Sequence, residues 1–142
     1  MAVLGSVALA VVQALLVEVA LELLVRGADA LGQQVAVALE ARTTLEKAKI
    51  GTRVVSMPCR EWFDAQTKAY QDKVLPATVR ARVSVEAATP FGWREVVGDA
   101  GEIVGIDHFG ASADAGTLYE KFGITPAAVV KAAKASIKKA KG

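Results

Sequence analysis

Cysteine, histidine and aromatic residues are scarce in this chain. Its 142 residues include one cysteine and one histidine, and aromatic side chains make up 6%. A single cysteine excludes an intramolecular disulfide and a zinc site built from several cysteines. Because His108 is the one histidine, any Ser-His-Asp or Cys-His catalytic arrangement would have to use it.

The chain also lacks an excess of charge of either sign. It has 17 Lys or Arg residues and 15 Asp or Glu residues, a formal net charge of +2, so no strong field favours nucleic acid or an acidic partner. The chain is rich in apolar residues, with 53% hydrophobic and 23% charged residues. This composition excludes intrinsic disorder. The length suits one domain with its own core. We therefore expect one intracellular α/β domain with no nucleic-acid partner.

The amino-terminal stretch is apolar but does not have the marks of a targeting sequence. Residues 2–17 carry no charge, yet no Lys or Arg precedes them, as a secretory signal requires. The run also falls short of the roughly 20 apolar residues that cross a membrane. From Glu18 to Arg26 a charge recurs every fourth residue, which predicts a buried amphipathic helix over residues 12–26. A membrane or signal role for residues 2–25 and a stretch foreign to the domain are the alternatives.

From residue 33 onward, helical and strand patterns alternate. Apolar residues at helical spacing predict helices, and β-branched runs bounded by Gly or Pro predict strands. The alternation predicts a mostly parallel sheet covered on both faces by helices, without an internal repeat. In the second helix, we expect an apolar face from Trp62 to Val74 to be buried against the sheet. The predicted helices are 33–49, 61–73, 93–97, 117–122 and 125–139, and the predicted strands are 52–57, 78–86 and 101–106.

The residues alone reveal no catalytic motif. Gly98-Asp99-Ala100-Gly101 is similar to the opening of a diphosphate-binding motif, but no Asn-Asn pair follows it, so we interpret it as a turn. No Gly-rich loop follows a strand with the spacing that cradles phosphates. Cys59 has neither a second cysteine nor a neighbouring base and is interpreted as inert.

The loop after the last predicted strand is the candidate ligand or partner site. A neighbouring Asp and His follow that strand, at the edge where open α/β sheets place ligands. Gly110 is expected to support a backbone conformation or a close approach that a Cβ would hinder, and Ser112 and Asp114 are expected to cap the next helix. In the competing interpretation, Phe109 fills the core and the polar residues only cap. The candidate loop residues are Asp107, His108, Gly110 and Ser112, and no catalytic, cofactor-binding or metal-binding residue is predicted.

Several blocks of residues follow one another in an order and spacing that point to a known family. They are Arg53-Val54-Val55-Ser56-Met57-Pro58-Cys59, Trp62-Phe63, Val74-Leu75-Pro76, Ala81-Arg82-Val83-Ser84-Val85-Glu86-Ala87, Gly92-Trp93, Gly105-Ile106-Asp107, Phe109-Gly110-Ala111-Ser112-Ala113, Leu118-Tyr119 and Phe122-Gly123-Ile124-Thr125. Together these blocks, over residues 35–138, resemble the carboxy-terminal domain of transketolases.

The resemblance implies an enzyme built from several domains. Transketolases are homodimers that use thiamine diphosphate and a divalent metal ion such as Mg²⁺ to move a two-carbon ketol unit between sugar phosphates. Their cofactor and catalytic residues lie in the two preceding domains, so no catalytic residue is carried over and this chain alone is expected to be inactive and to bind neither cofactor. The resemblance further implies a three-layer α/β/α domain around a mostly parallel, mixed five-stranded sheet. It implies the cytoplasm, or the plastid stroma in a eukaryote.

We predict that the chain divides into an apolar, helical segment over residues 1–27 and a domain of this type over residues 28–142. Residues 30–35 keep little of the family's usual first turn, so we do not expect a good first strand over residues 26–31. The expected function is support of transketolase assembly or stability, with the catalytic domains as partners in the same or a separate chain. The alternatives are a free-standing module of this fold that binds a small ligand or a protein, and one subunit of a split transketolase.

Overall fold

The computed structural model describes residues 21–25 and 33–142. Within these ranges, strands and helices alternate along the chain, as predicted. The strands are β1 (Leu21–Val25), β2 (Thr52–Ser56), β3 (Arg82–Val85) and β4 (Glu102–Val104). The helices are α1 (Gln33–Lys47), α2 (Arg60–Asp64), α3 (Lys68–Val74), α4 (Trp93–Val97), α5 (Ala115–Lys121) and α6 (Pro126–Lys141).

The four described strands form one sheet in the order β2-β1-β3-β4, and each neighbouring pair is parallel. Leu23 lies opposite Val54 on one side and Val83 on the other. Because β3 lies on the opposite side of β1 from β2, the direction of winding changes there and helices cover both faces. The predicted α/β class with a mainly parallel sheet is confirmed. The described residues supply four strands, so the count of five remains a prediction.

Each face of the sheet has its own apolar core. The neighbours Val54 and Val55 belong to different cores because successive strand residues point to opposite faces. One core lies under α1 and α6 and is rich in alanine, whereas the other lies under α3 and α4 and contains Trp93. The first consists of Ala38, Ala41, Leu45, Val54, Ala81, Val83, Val85, Ile124, Val129 and Ala133, and the second of Leu24, Val55, Met57, Val74, Trp93, Val96 and Val97.

The predicted helix over residues 12–26 is wrong where the structure describes it, because Leu21–Val25 is the strand β1. This strand lies between β2 and β3, and Leu24 is fully buried. Charges at helical spacing stabilise a helix by only a few tenths of a kcal/mol per pair, which is less than pairing with two neighbours and burial provide. The remainder of the prediction, residues 12–20 and 26, lies outside the described residues. The division at residue 28 stays a proposal, although the sheet takes in five residues before it.

The single helix predicted over residues 61–73 is in fact two helices, α2 and α3. The Thr67 hydroxyl caps α3 by accepting a hydrogen bond from the Tyr70 N–H at 3.3 Å. A threonine that bonds to nearby backbone in this way favours a new helix start over continuation of the old one. The expected continuous apolar face therefore does not form. Val74 is buried, whereas Trp62 is 60% exposed.

The other predicted elements are present, α4 with the predicted ends and the rest with shifted ends. The helices predicted over 33–49, 93–97, 117–122 and 125–139 correspond to α1, α4, α5 and α6, and the strand over 52–57 corresponds to β2. The strands predicted over 78–86 and 101–106 are shorter, as β3 and β4. The start of β3 is delayed because residues 76–79 form a turn in which the Val79 N–H donates to the Pro76 carbonyl oxygen at 3.0 Å.

The amino edge of the sheet consists of the loops 48–51, 75–81 and 98–101, which lead into β2, β3 and β4. At this edge, hydrogen bonds from Arg82 join loop 75–81 to α4. Arg82 is half-buried at the start of β3. Its guanidinium carries five N–H donors in a rigid fork, so one side chain can bond to several carbonyl oxygens. The carbonyl oxygens that accept from it are those of Val79, Val96, Leu75 and Pro76, at 2.8 to 3.3 Å.

Ser136 fastens α6 to the same edge. Its side chain is fully buried, and its Oγ accepts from the Arg82 N–H at 3.0 Å and donates to the Ala100 carbonyl oxygen at 2.8 Å. Arg94 adds bonds to the carbonyl oxygens of Gly98 and Gly101 at 3.1 and 2.8 Å. Loop 75–81 is thus bonded to α4 through Arg82, and loop 98–101 is bonded to α4 and α6.

Candidate functional site

The segments that follow β2, β3 and β4 meet at the opposite edge of the sheet, which we call the carboxyl edge (residues 57–63, 86–93 and 105–114). They meet there because the strands are parallel. Two of the segments stay joined beyond their strands, since the Ile106 N–H donates to the Ala88 carbonyl oxygen at 2.8 Å. The predicted loop, residues 107–112, lies at this edge, where open α/β sheets bind ligands.

The four predicted loop residues, Asp107, His108, Gly110 and Ser112, are all exposed. The His108 ring packs edge-on against Phe122, with the ring centroids 4.7 Å apart. Its Nδ1 lies 2.8 Å from the carbonyl oxygen of Phe109 in the same loop. Asp107 and His108 are therefore neighbours in sequence, but the structure does not bring them together as an acid-base pair.

Two expectations about this loop are wrong. Phe109 does not fill the core, because it is 97% exposed. The loop residue whose ring packs against the end of α5 is His108, which contacts Phe122. Gly110 is not required for a close approach, because a Cβ at that position would meet nothing within 4 Å, and its φ is not in the left-handed region.

The prediction that Asp114 caps the helix after the loop is confirmed. Its carboxylate accepts from the Thr117 N–H at 3.0 Å and from the Thr117 hydroxyl at 2.6 Å. The hydroxyl hydrogen bond, followed by the backbone one, lowers the pKa of Asp114. Ser112 does not take part in the cap, because Asp114 alone is the N-cap residue of α5.

Three exposed aromatic side chains, one after each of β2, β3 and β4, are the main feature of the carboxyl edge. Trp62 is 60% exposed, Phe91 88% and Phe109 97%. We call Trp62, Phe91 and Phe109 the aromatic edge. Sequence reasoning missed it, since Trp62 was expected to be buried and the competing interpretation of the loop placed Phe109 in the core. The sequence position of these residues could have indicated the aromatic edge, because each aromatic residue lies in the segment that follows a strand.

Two shallow grooves flank the buried side chain of Met57 at this edge. One is lined by Trp62, Phe63 and Tyr70, and the other by Phe91 and Trp93. Both grooves are therefore mainly apolar and aromatic, which is typical of a surface that accepts another apolar surface.

Arg60 is the basic side chain beside these grooves, and its hydrogen bonds are directed within the domain. The guanidinium bonds to Asp64 at 2.8 Å and to Glu95 at 3.1 Å. It also lies 3.4 Å from the Gly92 carbonyl oxygen. Arg60 therefore joins α2 to α4 and is not positioned as an anion-binding group.

Two polar side chains near the ends of β2 and β3 have hydrogen-bond partners within the domain. The buried Trp93 indole N–H donates to the Glu86 carboxylate at the end of β3. The half-buried Cys59 thiol donates to the Glu61 carboxylate, with the sulfur and oxygen 3.3 Å apart. The Trp93–Glu86 pair contains no nucleophile. The Cys59 thiol does have a carboxylate beside it, so the expectation that Cys59 lacks a neighbouring base is wrong.

The described residues do not fit a diphosphate-bound metal ion. Among the side chains that the structure describes, no three His, Cys, Asp or Glu come together as a metal site. The Gly98-to-Gly101 segment joins α4 to β4, as predicted. Its Asp99 pairs with Arg80 at 2.8 Å, and this hydrogen bond lowers the pKa of Asp99. A Cβ on Gly101 would lie 2.4 Å from the Val97 side chain, so this turn is packed against the chain itself.

In the part of the chain that the structure covers, none of the helices has the length and apolar character needed to span a membrane. Most of residues 2–25, for which a membrane role was the alternative prediction, lie outside the described residues.

The fold and its two edges define a three-layer α/β/α domain with a parallel sheet. The family model for the "Transketolase-like TK C-terminal domain" matches residues 29–125. The transketolase of Mycobacterium bovis is 51% identical over 108 residues, which is 76% of this chain and 15% of that protein. The chain belongs to the transketolase family and corresponds to its C-terminal domain.

Solved structures agree with this assignment. The transketolase from Leishmania mexicana superposes with a TM-score of 0.75 at 41% identity, covering 87% of this chain and 17% of that one. A protein described as "Split gene transketolase, inactive beta4 tetramer" superposes with a TM-score of 0.59 at 22% identity, covering 84% of this chain and 40% of that one. The second likeness is one of fold alone. The chain spans about a sixth of the length of the M. bovis and L. mexicana proteins.

Proposed function

We propose that this chain acts as the terminal domain of a thiamine-diphosphate-dependent transketolase and works by associating with the catalytic domains. In this proposal it supports their assembly or stability and contributes no catalytic group. The observation that carries the proposal is the match over residues 29–125 to one domain of a family whose members are several times longer. Thiamine diphosphate and Mg²⁺ would then belong to the partner domains, and the complete enzyme would be a homodimer in the cytoplasm or a plastid stroma.

The geometry of the candidate loop supports a non-catalytic role. His108 bonds to a carbonyl oxygen of its own loop and packs on Phe122. The nearby carboxylate of Asp114 is committed to capping α5. These groups hold the loop in place and are not arranged around a common point where a substrate could react.

The partner domains could lie in the same polypeptide or in a separate chain. The separate-chain arrangement draws on the structural neighbour described as a split-gene transketolase, which shares this fold. A free-standing binding module that uses the loop at Asp107 to Ser112 is the remaining alternative, and the exposure of that loop is the observation in its favour. An upstream reading frame that encodes Gly-Asp-Gly and Asn-Asn motifs would favour one polypeptide, and a neighbouring separate gene with those motifs would favour a split enzyme.

The first experiment tests whether the chain can supply the terminal domain. The purified chain is mixed with the catalytic part of a mycobacterial transketolase that ends before its own terminal domain, loaded with thiamine diphosphate and Mg²⁺. We expect the two to co-elute, and we expect the mixture to transfer a ketol unit from a ketose phosphate to an aldose phosphate faster than the catalytic part alone.

The same preparation provides the control for a non-catalytic role. The chain alone is expected to show no ketol transfer, and isothermal titration is expected to show no binding of thiamine diphosphate or Mg²⁺ at micromolar concentration. Stoichiometric cofactor binding by the chain alone, or turnover without the catalytic part, would contradict the proposal.

A further inference from the structure

We infer that the aromatic edge (Trp62, Phe91 and Phe109) is the surface through which this domain docks on the catalytic polypeptide of a transketolase. The inference rests on the proposed function and adds to it the residues that make the contact. The observation behind it is that three aromatic side chains, each after a different strand, share one edge of the sheet and remain exposed.

The exposure of these rings is unusual for a domain that otherwise buries its apolar residues well. Apart from these three, the large hydrophobic residues described as exposed are Leu39 and Tyr70, at 38% and 36%. Phe91 and Phe109 are far more exposed than either. An exposed ring does not stabilise the fold, because stabilisation comes from apolar area removed from water. Exposed Trp and Phe along one edge are instead typical of interface anchors.

The backbone presents Phe91 on an ordered turn. Pro90, Phe91, Gly92 and Trp93 form a β-turn in which the Trp93 N–H donates to the Pro90 carbonyl oxygen at 3.3 Å. Gly92 has a φ of +82°, which places Phe91 at the second position of a type II turn. The next residue, Trp93, is buried in the core. Phe91 therefore points outward from a fixed support, which lowers the entropy cost of binding through it.

Phe109 has a comparable support. The preceding residue, His108, packs on Phe122 at the end of α5. Phe91 and Phe109 each lie three residues beyond the hydrogen bond that joins Ala88 to Ile106. The two rings therefore extend from neighbouring, connected segments, and Trp62 extends from the segment after β2 on the other side of Met57.

The side chains of the aromatic edge favour binding to an apolar protein surface. Its basic side chain, Arg60, is bonded to Asp64 and Glu95, so it does not offer a free cation to nucleic acid or to an anionic lipid. The match covers 15% of the mycobacterial relative, so most of such a protein lies outside this domain and is available to cover the aromatic edge. We therefore assign the edge to the catalytic polypeptide and not to a second copy of this chain.

The decisive experiment compares the full chain with the double variant Phe91→Ser/Phe109→Ser. Both side chains are almost fully exposed, so the variant is expected to keep the wild-type circular dichroism and melting temperature. The probe is the catalytic part of a mycobacterial transketolase, loaded with thiamine diphosphate and Mg²⁺ so that cofactor binding certifies its fold. We expect the double variant to bind this probe at least tenfold more weakly than the wild-type chain does. The matched control, Leu39→Ser on α1, removes an exposed apolar side chain away from the edge and is expected to bind normally.

A spectroscopic measurement follows the third aromatic directly. The chain has two tryptophans, of which Trp62 is 60% exposed and Trp93 is 3% exposed. With 5-fluorotryptophan in this chain, we expect the fluorine resonance of Trp62 to shift on addition of the catalytic part and that of Trp93 to stay in place.

The outcomes separate the docking surface from the proposed function. Equal binding by the wild-type chain and the double variant would overturn the aromatic edge as the docking surface and leave the proposed function standing. Absence of binding by the wild-type chain would overturn both. Self-association of the wild-type chain that the double variant abolishes, without a change in binding to the catalytic part, would assign the edge to a second copy. A Trp62 resonance that moves only when residues 1–20 are removed would assign the aromatic edge to the chain's own amino-terminal segment. Either self-association through the edge or this result would overturn the catalytic polypeptide as the occupant.

Discussion

The two edges of the sheet are built from the same strands but present opposite chemistry. At the amino edge, Arg82 and Arg94 donate to backbone carbonyl oxygens, and the buried Ser136 joins α6 to the start of β3 and to the loop at Ala100. At the carboxyl edge, the loops carry exposed aromatic rings. The amino edge therefore satisfies its polar groups internally, whereas the carboxyl edge leaves apolar surface that only another surface can cover. The difference indicates that stability and association are carried by different ends of the same strands.

The largest expected effect comes from removing the arginine that closes the amino edge. Arg82→Met deletes four hydrogen bonds to carbonyl oxygens and leaves part-buried acceptors without a charged donor. We expect a loss of about 2–4 kcal/mol in the free energy of unfolding, measured by urea melts. Arg82→Lys keeps the charge but not the fork and is expected to recover less than half of the loss. A loss below about 1 kcal/mol for Arg82→Met would show that the edge does not depend on this side chain.

Ser136→Ala is expected to have the next largest effect. The change leaves the Arg82 N–H and the Ala100 carbonyl oxygen without their buried partner. We expect a cost of about 1–3 kcal/mol in chemical denaturation. Ser112→Ala makes the same chemical change at the exposed carboxyl edge and is expected to cost less than about 0.5 kcal/mol. Equal stability of the two variants would contradict the inference that the amino edge contributes more to the stability of the fold than the carboxyl edge does.

His108→Ala tests whether the carboxyl edge contributes chemistry in addition to surface. The ring contacts Phe122 but is exposed, so we expect the free energy of unfolding to fall by less than about 1 kcal/mol. The Michaelis constant and turnover of the reconstituted transketolase are expected to stay unchanged. A tenfold or larger loss of activity at unchanged stability would instead show that the loop binds a ligand.

The smallest expected effect is on the stability of the protein at low pH. It compares Asp99 at the amino edge with Asp114 at the carboxyl edge. The hydrogen bond from Arg80 lowers the pKa of Asp99, and the hydrogen bonds from Thr117 lower the pKa of Asp114. A carboxyl group whose pKa is lower in the folded state stabilises the protein above its unfolded value of 3.8, and that contribution is lost as the pH falls through the folded pKa. We therefore expect the melting temperature to fall below about pH 4, and Asp99→Asn and Asp114→Asn each to flatten this dependence slightly. Profiles that match the wild type in both variants would mean that neither hydrogen bond survives in solution.

Much of the fold could be predicted because its signals are local. The β-branched run in β2, Pro126 at the start of α6 and the Asp114 cap each depend on residues within a few positions of one another. The resemblance over residues 35–138 added the family, since ordered blocks along the chain carry more information than any single motif. The position of the candidate loop was also predictable, because a strand followed by a loop places that loop at the carboxyl edge.

The errors arose wherever burial depends on a distant partner. The segment containing β1 has helical charge spacing, but pairing with β2 and β3 decides its conformation. Trp62 and Phe109 have the apolar character of core residues, but no described element stands opposite to cover them. Conversely, the pattern of charges gave no sign that Arg82 would bond to four backbone carbonyl oxygens.

The sequence by itself determined the α/β class, the succession of most elements, the Asp114 cap and the membership of the transketolase family, since local hydrogen bonding and hydrophobic periodicity depend on neighbouring residues. Only the tertiary structure decided that Leu21–Val25 is a central strand, that Arg82 and Ser136 close one edge, and that Trp62, Phe91 and Phe109 stay open on the other. The physical reason is that burial and strand pairing are properties of what lies opposite a residue in space, and the residues opposite are far away along the chain.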